Sequence, residues 1–190
     1  MKLERMYVLG CKVGVLLGAL TCCWSAAAAE YVWTGAADGY WTNAANWTVS
    51  GAVATQPPGQ VDLPDGTVGG DLGDTAVFSQ ASANTTINLA GHHSIFHVTV
   101  TGAQTPVYTF GTSDAQILRF EFEGILLVDA SVVNMPLLTC GLGIVTDGMK
   151  TAFNVRFENN ASETLVLNKV GYITKATGAS GWLETTLTLA

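Results

Sequence analysis

Beyond residue 30 the hydrophobic positions recur with a period of two, and no stretch sustains a period of 3.6. In Asn84–Leu89, Thr85, Ile87 and Leu89 share one face while Asn84, Thr86 and Asn88 share the other. Ser94–Thr101 sets Phe96, Val98 and Val100 together, and Thr151–Phe157 does the same for Phe153, Val155 and Phe157. Gln116–Glu123 separates Leu118, Phe120 and Phe122 from Arg119, Glu121 and Glu123. Leu183–Leu189 groups Leu183, Leu187 and Leu189. Successive strand side chains point to opposite faces, so this alternation predicts strands with one buried side. Ile125–Val128 and Val132–Leu138 are more continuously apolar and suit strands covered on both sides.

Short turn signals separate these runs: Ala90-Gly91, Thr101-Gly102, Phe110-Gly111, Glu123-Gly124, Asp147-Gly148 and Asn159-Asn160. Regular strands between such turns predict an all-β chain, either a sandwich, a barrel or a solenoid. Alternation alone does not separate these, because all of them bury one face of each strand. The Gly/Thr/Asn/Ala-rich composition leans toward a parallel solenoid, with a β-sandwich as the alternative. The last strand, Leu183–Ala190, would leave an open coil, which predicts a continuation of the repeats or a pairing partner there.

The first 29 residues follow another rule. Lys2, Arg5 and Lys12 precede or interrupt a short apolar run, and Ser25-Ala26-Ala27-Ala28-Ala29 supplies small residues for cleavage. This predicts a signal peptide over 1–29 with Glu30 as the new N-terminus, and no membrane span in the mature chain. Its removal takes Cys11, Cys22 and Cys23, leaving Cys140 alone, so no internal disulfide is expected. Cys140 reads as a small buried hydrophobe. Five basic residues then face fourteen acidic ones, a net charge of −9. That balance argues against nucleic acid as a partner.

Tyr31–Thr48 holds Trp33, Trp41 and Trp47, three of the chain's five tryptophans, among Gly, Ala, Asn and Thr. Large aromatics at the open end of a strand stack seal it, and Asn43, Asn46 and Thr48 offer acceptors and turn geometry nearby. The alternative is a carbohydrate platform in which Trp33, Trp41 and Trp47 present ring faces to a glycan. The order Trp33-Thr-Gly35, Asp38-Gly-Tyr-Trp41, Asn46-Trp47 and then Gly73-Asp-Thr-Ala-Val-Phe78 resembles the opening of passenger regions in autotransporter-associated β-strand repeat surface proteins of Gram-negative bacteria. The match covers 31–78 and is looser over 84–140. This resemblance implies an exported, surface or extracellular, right-handed parallel β-solenoid with no enzymatic activity of its own.

Three other groupings invite chemistry. Asp62, Asp65, Asp71 and Asp74 lie in a Gly-rich stretch and form a loose calcium candidate, without the alternation or closing glutamate of a calcium loop. His92, His93 and His97 suggest zinc, yet His93 and His97 stand about 13 Å apart along an extended strand. Glu121 and Glu123 share a face, as paired carboxylates of a glycoside-cleaving enzyme do, but Arg119 lies on that face too, which fits a solvated charged edge. The expectation is therefore a signal peptide over 1–29, a Trp-rich cap over 30–80 and a β-strand repeat region over 81–190. It is a non-enzymatic structural or adhesive surface module without cofactor or metal, meeting surface glycans or other surface proteins. It would sit in the periplasm if no secretion partner carried it outward. A carbohydrate-binding module and a β-helical polysaccharide-active enzyme are the alternatives.

Overall fold

A computed structural model describes residues 28–61, 73–146, 155–174, 180–183 and 187–189. Among the described residues strands follow one another with a single 3-10 turn, Ala44–Asn46. In chain order they are β1 (Glu30–Trp33), β2 (Trp47–Val49), β3 (Ala52–Val53), β4 (Gln60–Val61), β5 (Thr75–Phe78), β6 (Thr86–Ile87), β7 (His92–Val100) and β8 (Thr109–Phe110). Then come β9 (Ile117–Val128), β10 (Leu137–Leu138), β11 (Gly141–Thr146), β12 (Arg156–Asn159), β13 (Leu165–Leu167), β14 (Val170–Thr174), β15 (Ser180–Leu183) and β16 (Leu187–Leu189). The protein is all-β, and its sheets are mostly parallel.

The pairing resolves into three ladders. In the first, β4, His92–Ile95 of β7, Ile117–Phe120 of β9, β11, β14 and β15 lie side by side. In the second, β1, β5, His97–Val100, Ile125–Val128 and β12 do so. The third runs β6, β8, β10, β13 and β16. From β6 to β14 the chain visits the third, first and second ladders in that order, again and again. Partners in the second ladder are one lap apart: Phe78 with Val100, Val100 with Val128, and Val128 with Asn159. Antiparallel strands flank the parallel middle, with β2, β3 and β4 toward the N-terminus and β15 and β16 toward the C-terminus. Parallel pairing across laps is not the antiparallel pairing of a β-sandwich. Among the described residues neither sheet closes on itself.

Register turns the alternation into columns of buried side chains. Ile87, Phe110, Leu138 and Leu167 stack along the third ladder, each at most 2% exposed. Ala76, Val98 and Leu126 form a buried column of the second ladder that the half-buried Phe157 continues, and Ile95 and Phe120 one of the first that the half-buried Ile144 continues. Each fully buried Leu, Ile or Phe contributes about 1.5–3 kcal/mol.

Three expectations change. The bend in β7 and β9 sets the single residue Phe96 against the four residues 121–124, and Glu123 adopts a φ of 64°. This interrupts the alternation, so Ile95 joins Val98 and Val100 in the core while Phe96 is left half-buried. Ile125–Val128 and Val132–Leu138 are not covered on both sides: Ile125 and Leu127 are half-buried, and Val133 and Leu137 are 65% and 54% exposed. The single strand expected over Leu183–Leu189 is divided: β15 ends the first ladder and β16 the third. Among the described residues no helix is long and apolar enough to cross a membrane.

Candidate functional site

The Trp-rich segment folds over the N-terminal end of the ladders. Trp33 and Trp47 face each other across the antiparallel pair β1–β2. Gly39–Trp41 adds a backbone rung to the third ladder, since Asn88 N–H donates to Gly39 O at 2.7 Å and Trp41 N–H donates to Asn88 O at 2.9 Å. A Cβ on Gly39 would stand 2.7 Å from the Thr86 carbonyl oxygen, so only glycine permits this approach. Gly35, at a φ of 55°, is hemmed in by the Ser82 hydroxyl, the Asn84 carbonyl and the Trp33 indole.

Three indoles converge on one ring. The centroids of Trp33, Trp41 and Trp47 lie 5.9, 5.9 and 5.7 Å from Phe78, and Phe78 also meets Phe110 at 4.7 Å and Tyr108 at 5.1 Å. Trp47 is 4.9 Å from both other indoles in edge-on geometry. Such contacts add about 0.5–1.5 kcal/mol beyond area burial. Each indole N–H donates to a backbone carbonyl: Trp33 to Asn84 at 2.9 Å, Trp41 to Pro58 at 3.0 Å and Trp47 to Trp41 at 2.8 Å. All three rings are 0% exposed. The glycan platform expected as the alternative for Trp33, Trp41 and Trp47 therefore lacks an aromatic face at the surface.

A polar bracket holds the loop between Trp33 and Trp47. Asn46 is fully buried, and its amide oxygen accepts from Ala37 N–H (2.9 Å) and Asp38 N–H (3.0 Å). Its NH2 donates to Asp38 Oδ1 (2.6 Å) and to the Tyr40 carbonyl (2.9 Å), which uses the full capacity of the amide. Hydrogen bonds from Asn43, then from the Tyr40 backbone and Asn46, hold the Asp38 carboxyl below the usual range. Burial pushes the Tyr108 hydroxyl up to about 12 while it donates to Gln80 O at 2.6 Å.

The remaining candidates scatter. Asp62, Asp65 and Asp71 lie outside the described residues. Asp74 is 4% exposed and accepts from Gly59 N–H at 3.0 Å and Ala29 N–H at 3.4 Å. The histidines go three ways. His93 turns inward beside Trp41, with Nε2 at 2.7 Å from Pro58 O, whereas His92 Nδ1 meets Arg119. His97, beyond the bend, stacks on Phe96 at 4.0 Å. Among the described residues no group of three His, Cys, Asp or Glu side chains could hold a metal ion. Glu123 is exposed on the bend at positive φ, and the side chain of Glu121 lies outside the description. Arg119 is 2% exposed rather than part of a solvated edge; it stands in register between the small residues Ser94 and Gly143. Cys140 is 1% exposed, and burial pushes its thiol up to about 12.

Asn43 and Asn46 were expected as acceptors and turn formers and do brace the loop, but the indoles donate to backbone carbonyls instead; sequence reasoning passed over the part of Asp38 in the bracket, the Phe78 hub and the Pro58 carbonyl shared by Trp41 and His93. The only local signal was the recurrence of Asn and Asp beside the tryptophans. Searches of protein families, of characterised proteins and of solved structures return no match to this chain.

Proposed function

We propose that this chain is a parallel, right-handed β-solenoid module of an exported surface protein, with residues 30–80 as its N-terminal cap. Its role is structural or adhesive and non-enzymatic. The observation that carries this reading is the complete burial of Trp33, Trp41 and Trp47 over Phe78 at one end of the stacked laps. A solenoid must cover its first coil, and three indoles with satisfied N–H groups do so. The repeated visit to three parallel ladders supports the solenoid. The resemblance of residues 31–78 to autotransporter-associated repeat proteins supports the surface context. At the far end, β15 and β16 are the outermost strands among the described residues, placed to offer backbone groups to a further repeat or to a partner surface protein.

Tryptophan emission tests the cap. It should be blue-shifted in the folded protein and unchanged by a panel of surface polysaccharides. A saturable, glycan-dependent shift would revive the carbohydrate-binding alternative. Protease shaving of intact cells that express the chain with its native neighbours tests the location. Resistance on intact cells, with digestion only after outer-membrane permeabilisation, would assign the chain to the periplasm instead.

A further inference from the structure

The fold holds one residue more than the expected mature chain. Ala29 precedes Glu30, yet its carbonyl accepts from Thr75 N–H at 2.8 Å and so extends the β1–β5 ladder. Its side chain packs against the core, and its N–H points to Asp74 Oδ1 at 3.4 Å. Ala28, one residue earlier, is exposed. The Asp74 carboxylate is itself built into the end of the stack. It is 4% exposed, its Oδ2 accepts from Gly59 N–H, and its backbone carbonyl accepts from His97 N–H at 3.0 Å.

The stretch Ser25–Ala29 offers three cuts that place small residues at both required positions, and one of them, after Ala27 with Ser25, would leave the exposed Ala28 at the N-terminus. Of the other two, cleavage after Ala29 places Ala27 and Ala29 at the small-residue positions, and cleavage after Ala28 places Ala26 and Ala28 there. The folded products differ. The first cut removes the carbonyl that serves Thr75 and a donor that serves Asp74. The second keeps both and changes the donor: water adds across the Ala28–Ala29 peptide bond, Ala28 leaves as a carboxylate, and Ala29 retains an amine that protonates. We infer that the mature chain begins at Ala29 and that its α-ammonium seats on the Asp74 carboxylate as a processing-dependent ion pair. This rests on the export reading above, because a peptidase specific for small residues must remove the leader. The amide hydrogen bond to Asp74 is already charge-assisted through its carboxylate acceptor; the ammonium makes the donor ionised as well and so turns it into an ion pair. It ties the new N-terminus to Gly59 in the loop that carries Pro58, hence to the acceptor of the Trp41 indole.

The test is the mass and N-terminal sequence of the full chain expressed with its leader in a Gram-negative host. A mature chain starting at Ala29 supports the inference. A start at Glu30, or at any other processed residue, overturns it and leaves export standing, whereas a chain left uncut in the cytoplasm removes the export reading itself. Acylation of the α-amine, resolved by peptide mapping, tests the pairing. The folded chain should react about tenfold more slowly than the urea-unfolded chain, as for one unit of extra protonation, and Asp74→Asn should restore the fast rate. Equal rates in the folded and unfolded wild-type chain overturn the ion pair, and this comparison stands even if the Asp74→Asn variant does not fold.

Discussion

The two ends of one column show different ways of holding a strand stack. Phe110, Leu138 and Leu167 repeat one contact lap after lap, and each is flanked by residues of the same kind. The cap does nothing twice. Trp33, Trp41 and Trp47 differ in ring orientation and in acceptor, and the acceptors lie 51, 17 and 6 positions away in the chain. In a repeated column the loss of one methylene is shared by similar neighbours. In the cap each group has a single assigned place, so a substitution removes a contact that no neighbour duplicates.

Trp47→Ala should break the comparison most visibly. It removes the indole that touches both others and should cost about 3–5 kcal/mol, read as a lowered urea midpoint with hydrogen exchange accelerated first in residues 31–49. A uniform rise in exchange across all laps would show that cap and ladders unfold as one unit. Asn46→Ala comes next. It leaves the Ala37 and Asp38 amides without their side-chain acceptor, and a cost of about 1–3 kcal/mol is expected for a buried polar group stranded in this way; calorimetry reads it as a lower Tm. Ile87→Val in the third ladder should cost only about 0.5–1.5 kcal/mol. Equal losses for Ile87→Val and Trp47→Ala would erase the contrast.

Alkaline pH compares the two regions without mutation. Tyr108 belongs to the aromatic hub and Cys140 to the later laps, and burial raises each to about 12 from ordinary values of 10.0 and 9.0. The unfolded chain therefore loses these protons first, and folding stability falls as pH rises from about 9 toward 12, being fully present below that window. Urea titrations at stepped pH should show the decline, and Cys140→Ala should delay its onset. A thiol reagent at pH 8 should modify Cys140 only as fast as the chain opens.

How much of this was legible depended on whether the cause was local. Ile87, Leu89, Leu118 and Phe120 were readable because alternation follows from the backbone alone, and Cys140 because an apolar neighbourhood surrounds it in sequence. Phe96 was misplaced because the bend matches one residue against four on a strand a full lap later. Arg119 looked solvent-facing for the same reason: Ser94 and Gly143, which flank it, are neighbours only through register. The burial of Trp33, Trp41 and Trp47 could be argued from ring size. Their anchors at Asn84 and Pro58 could not, because carbonyls carry no sequence signature.

The unequal bend in β7 and β9 carries one more consequence. Ladder positions are counted and corner positions are not. The same stack accepts one residue at a corner of one lap and four at the equivalent corner of the next, with His97 still meeting Ile125 directly afterwards. A strand pair built this way accepts different numbers of residues at that corner without disturbing the register of the strands on either side.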